Sequence, residues 1–102
     1  GRHFRLDPKL KVIVGRDKGE NDYLVQAGAG QWQFTTIDHP GPTALTADPL
    51  TPEQMSLIAR LVARYSDGKR EPQIRVQAQC GAQSQTLTVA PLSPQAVEKF
   101  RL

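Results

Sequence analysis

Lys11-Val12-Ile13-Val14-Gly15-Arg16-Asp17-Lys18-Gly19-Glu20-Asn21 is the stretch from which the rest of the chain is read. Its first residues predict a strand. Val12 and Val14 share one face of the pleat and Ile13 takes the other, which implies cover on both faces. Gly15 permits a sharp turn that residues with a Cβ avoid. Asp17 stands where an N-cap belongs, and Glu20 follows at capping-box spacing. A helix is therefore expected to begin here, with Arg16 and Lys18 beside its first turn. Such an end presents free N–H groups and a positive partial charge, which suits an anion such as phosphate.

Outward from this stretch, residues 3–6 alternate as a short strand. The Asp7-Pro8 turn lets that strand pair with 10–15 as a hairpin. The helix after Gly15 is expected over about 18–27, with a thin apolar stripe of Tyr23, Leu24 and Ala27, and Gly28-Ala29-Gly30 ends it. Gln31 to Ile37 alternates as a strand. Asp38-His39-Pro40-Gly41-Pro42 makes a rigid loop, because each proline fixes its own φ and holds its predecessor extended. A short strand over 43–47 precedes the break at Asp48-Pro49-Leu50.

The strongest helical signal covers 52–66. Thr51 is the N-cap, Pro52 takes N1 and Gln54 completes a capping box. Met55, Ile58, Leu61, Val62 and Tyr65 recur at helical spacing, with Ala59 beside them, and predict the core stripe. Ser66-Asp67-Gly68-Lys69 stops the helix. In 73–80, Ile74, Val76, Ala78 and Cys80 alternate with Gln73, Arg75, Gln77 and Gln79. Residues 84–90 return with Leu87 and Val89 inward, so one wet face and antiparallel pairing are expected. Ser93-Pro94 opens a short C-terminal helix carrying Val97 and Phe100. The expected order is β-β-α-β-β-α-β-β with that last helix. This is an α+β fold: a small mixed or antiparallel sheet with helices packed on one face.

The 102 residues fit one domain, and 13 Lys and Arg against 10 Asp and Glu give a formal charge of +3. That balance permits nucleic-acid binding without the dense basic stripe of many such domains. A single cysteine, Cys80, excludes an internal disulfide and fits a cytoplasmic setting. No apolar run approaches the roughly 18 residues of a membrane span, so no membrane partner is expected. The chain starts Gly1-Arg2-His3 and reads as a domain excised from a longer protein. Few aromatics and low hydrophobicity suit an appended module better than a self-contained enzyme.

Three segments together carry a resemblance: Gly15-Arg16 with Glu20-Asn21, the Asp38 to Pro42 loop, and a helix ending in Arg64-Tyr65-Ser66. In order and spacing they resemble the RNA-binding R domain of the NFACT proteins of ribosome quality control. They are closer still to the variant found at the C-terminus of bacterial proteins similar to tRNA thiouridylases. The resemblance covers roughly residues 3 to 76. It implies a non-catalytic domain that binds RNA, and tRNA in particular, for a PP-loop ATP-pyrophosphatase domain upstream. ATP and Mg²⁺ would act in that upstream domain, and no cofactor is implied here. The classical NFACT loop is of the Asp-x-His-Gly type, and Asp38, His39 and Gly41 retain its acid, histidine and glycine in altered spacing.

Each candidate contact has a plain reading beside the functional one. Gly15-Arg16 is either a solvated strand-to-helix turn or a phosphate contact that Lys18 reinforces. Asn21 either bonds local backbone or reaches a base edge or ribose. Asp38 either accepts turn amides or works with His39, although neighbours on extended chain point to opposite sides. His39 in the open could stack on a base. Arg60, Arg64, Lys69 and Arg70 are the largest local group of cations, one face of a helix continued by a basic turn, and Arg75 adds to them from the wet sheet face. They are either a solvated surface or phosphate contacts that release counterions. Trp32 and Phe34 read as core, and Cys80 as inert packing. Metal binding by His3, His39 and Cys80 lacks a ligand-spacing signature. A hydrolase or sulfur transferase would need a convergent nucleophile, base and oxyanion site, and the sequence offers none. The main alternative to RNA binding is a module that docks on its own catalytic domain or on an oligomeric partner.

Overall fold

The computed structural model of the chain describes residues 2–7, 10–15, 31–46 and 50–101. The expected helix over 18–27 and its Gly28–Gly30 stop lie outside the described residues, as does the Asp48-Pro49 break. Six strands are described: β1 (Arg2–Asp7), β2 (Leu10–Val14), β3 (Trp32–Thr36), β4 (Ala44–Thr46), β5 (Ile74–Cys80) and β6 (Gln83–Val89). Two helices accompany them, α1 (Pro52–Arg64) and α2 (Pro94–Phe100). Every pairing in the sheet is antiparallel, and the strand order is β1-β2-β4-β3-β5-β6. The fold is α+β, as the apolar spacing predicts.

α1 forms where its capping signals stand. Thr51 accepts a bond from the Gln54 N–H at 3.1 Å, and the Gln54 side chain accepts one from the Thr51 N–H at 2.9 Å. Both halves of the capping box are therefore made, and with Pro52 lacking an N–H, two of the three orphan donors of the helix start are satisfied. Met55, Ile58, Ala59, Leu61, Val62 and Ala63 are buried against the sheet. Full burial of each larger side chain stabilises by roughly 1.5–3 kcal/mol. The helix ends at Arg64, two residues before the expected Ser66, because Tyr65 and Ser66 switch to tighter bonds with the carbonyls of Val62 and Ala63.

The core lies between one sheet face and the helices. Phe4, Val12, Val14, Phe34, Ala44, Ile74, Val76 and Ala78 form one cluster there with the buried side of α1, joined by Val97 of α2. Trp32 and Phe34 are buried in it, with ring centroids 6.4 Å apart. Cover on the other face is local and not general along β2. Ile13 is half-buried, and its cross-strand neighbour Leu45 is buried outside the main cluster. Further along the sheet that face is wet: Gln79, Ser84, Thr86 and Thr88 are exposed. The β5–β6 turn is Gly81-Ala82, with φ of +59° at Gly81 alone. A positive φ at only the first central residue is the type II′ arrangement, which a glycine there favours.

Candidate nucleic-acid interface

The registers bring several predicted contacts to one end of the sheet. Val14 faces Ala44, Thr36 faces Val76 and Ile74 faces Val89. The exits of β2 and β3 therefore lie beside the entries of β4 and β5. Gly15 is buried at this end, and its N–H donates to the Thr43 carbonyl at 2.9 Å. That bond extends the β2–β4 ladder by one rung, so this amide is taken up by the sheet. Arg16, Lys18 and Asn21 lie outside the described residues.

The Asp38–Pro42 loop is stitched to the turn that follows α1. The Ile37 N–H donates to the Arg75 carbonyl at 3.0 Å, and the Thr36 hydroxyl donates to the His39 carbonyl. From the far side, the Asp67 N–H donates to the Pro40 carbonyl at 2.8 Å. Two glycines permit this approach. A Cβ on Gly41 would stand 2.8 Å from Thr36 Oγ1 and 2.9 Å from Ser66 Cβ. One on Gly68 would stand 2.5 Å from Ile74 Cδ1 and 2.6 Å from His39 Cδ2. Buried Ser66 locks the turn itself: its hydroxyl donates to the Ala63 carbonyl at 2.7 Å and accepts from the Gly68 N–H at 3.2 Å.

Asp38 and His39 are separated by this geometry. The Asp38 carboxylate accepts two bonds from the Arg75 guanidinium, one of them from Nε at 2.8 Å. Asp38 therefore takes an arginine, where local sequence pointed to turn amides. His39 is half-buried with its ring over Gly68, a closer fit than the open position that base stacking would use. The hydrogen bond from Arg75, more than its charge, holds the Asp38 carboxyl below the ordinary aspartate range, and the same pair raises Arg75. Both side chains are about half exposed, so the pair sets geometry more than stability. It leaves three of the five guanidinium N–H groups free of Asp38.

The predicted cations divide into two groups. Arg60 Nε donates to the Ala90 carbonyl at 3.0 Å, and the Arg60 carbonyl accepts from the Leu92 N–H at 3.2 Å. Arg60 therefore fastens the β6–α2 connection to α1. Arg64 is half-buried at the end of α1, while Lys69 and Arg70 stand exposed in the turn after it. Asp67 and Glu71 occupy the same turn, so the formal charge from Arg64 to Glu71 is only +1. Sequence reasoning missed the roles of Gly68, Ser66 and Thr36. Ser66-Asp67-Gly68-Lys69 signalled a stop, and nothing local told that His39 would lie on it. Among the described residues, no three of His, Cys, Asp and Glu gather as metal ligands would.

The chain matches the family model of the NFACT protein RNA-binding domain over residues 1–101. It belongs to that family. RNA binding without catalysis is the function this membership supports for the domain. No curated protein matches the chain. Among solved structures, the C-terminal part of the fibronectin/fibrinogen-binding protein from Streptococcus suis aligns with a TM-score of 0.81 at 22% identity. The alignment covers 99% of this chain and 49% of that one, so this NFACT RNA-binding domain spans about half its length. At that identity the likeness is one of fold.

Proposed function

We propose that this NFACT RNA-binding domain is a tRNA-binding module of a cytoplasmic, tRNA-thiouridylase-like protein. It holds tRNA for a PP-loop catalytic domain upstream in the same protein, where ATP and Mg²⁺ act. The observation that supports this reading is the convergence at one sheet end. There Gly15, the Asp38–Pro42 loop and the turn bearing Lys69 and Arg70 lie together, with Arg75 offering further donors. Lys69 and Arg70 contact phosphate, and the free N–H groups of Arg75 read a phosphate or base edge beside them.

The test compares tRNA with an RNA hairpin of matched length in the same buffer. Affinity for tRNA at least about tenfold higher is expected, since shape and unpaired bases specify RNA beyond phosphate charge. Equal affinity would overturn the tRNA reading and leave general RNA binding. The parent reading is tested by the sequence preceding Gly1. A Ser-Gly-Gly-x-Asp-Ser type loop, which cradles ATP phosphates, is expected there, and a different upstream domain would contradict it.

A further inference from the structure

The two edges of the sheet are built differently. At one edge, β1 carries exposed Arg5, its register shifts between Arg5 and Asp7, and Phe4 is bridged by Arg101 from beyond α2. Charge, a bulge and a covering segment are the usual means of blocking edge-to-edge pairing. Among the described residues, the other edge, β6, has none of them. Gln83-Ser84-Gln85-Thr86-Leu87-Thr88-Val89 contains no charge and no proline, and all seven residues pair with β5 in unbroken register. Among the described residues, β6 pairs with β5 alone. Its outer side therefore presents a straight row of backbone N–H and C=O groups.

We propose that β6 is a self-association edge, pairing antiparallel with β6 of a second copy of this chain. The strand suits itself as a partner. A two-fold axis through its midpoint sets Thr86 against Thr86, Ser84 against Thr88, Gln85 against Leu87 and Gln83 against Val89. No like charges meet, and Thr–Thr and Ser–Thr neighbours are favourable cross-strand pairs. The existing bond from Gln77 Nε2 to Ser84 Oγ at 3.2 Å would continue as a polar ladder across the joint sheet. Pairing of β6 with β1 would instead run head to tail into filaments, and the Arg101 bridge and the bulge oppose it. The assembly therefore closes as a dimer. One strand pair falls well short of a standard interface of about 1,600 Å², so a dissociation constant of about 10 μM to 1 mM is expected.

Sedimentation of the nuclease-treated chain over a concentration series tests this. A monomer–dimer equilibrium is expected. Thr86→Lys and Thr86→Glu should each weaken it at least about tenfold, because like charges face across the axis. An equimolar mixture of the two variants should recover association, while Gln95→Lys on exposed α2 should leave it unchanged. Circular dichroism checks that each variant is folded, and if Thr86→Lys or Thr86→Glu is not, the pair is replaced by Ser84→Lys/Thr88→Lys and Ser84→Glu/Thr88→Glu, which set like charges opposite each other in the same register. A monomer throughout, association indifferent to these charges, or no recovery on mixing would each overturn the proposal. None of these outcomes depends on RNA.

Discussion

Asp38 and His39 are neighbours in the chain and part company in the fold. One meets Arg75 at the surface, and the other lies over Gly68. Arg75→Ala should therefore raise the Asp38 pKa toward the ordinary value, read by NMR titration of the carboxyl carbon. An unchanged pKa would contradict the pairing. The sign for stability follows from the depressed pKa. The contribution of Asp38 is present above its unfolded pKa and is lost as pH falls through the folded one. Asp38→Asn should flatten that acid-side dependence. Gly68→Ala tests the other neighbour. The new methyl would overlap Ile74 and the imidazole, and a loss of about 1–3 kcal/mol is expected in chemical denaturation. A neutral result would mean that His39 is not seated there.

Among the elements, α1 and β5 were plain in the sequence because their signals are local. A capping box at Thr51 and Gln54, a heptad-like stripe, and strict alternation from Ile74 to Ala78 each lie within one element. Their energetic weights differ. Thr51→Ala should cost about 1 kcal/mol through the lost cap. Leu61→Ala should cost about 2–5 kcal/mol through the cavity left in the core. Denaturation of both variants checks the ranking, and a costlier cap would contradict it. What the sequence did not disclose is non-local. Insertion of β4 between β2 and β3 depends on which edges meet. The Asp38–Arg75 pair joins residues 37 positions apart, and Arg60 reaches Ala90 across 30. The contact of His39 with Gly68 likewise depends on how α1 ends.

For the whole molecule, the formal excess is only +3, and among the described residues the cationic surface at the sheet end is thinner than a count of cations suggests. Arg75 is neutralised by Asp38, Arg60 is turned to Ala90, and Asp67 and Glu71 stand in the basic turn. Lys69 and Arg70 remain the exposed cations of that turn. RNA affinity should then depend on salt through few phosphates. The most direct measurement is tRNA affinity against salt for the wild type and for the Lys69→Ala/Arg70→Ala double variant. The double variant should bind more weakly, with its log–log slope shallower by about 1.5–2, as loss of two phosphate contacts requires. An identical slope and affinity would contradict the account and move the RNA-binding surface elsewhere on the domain.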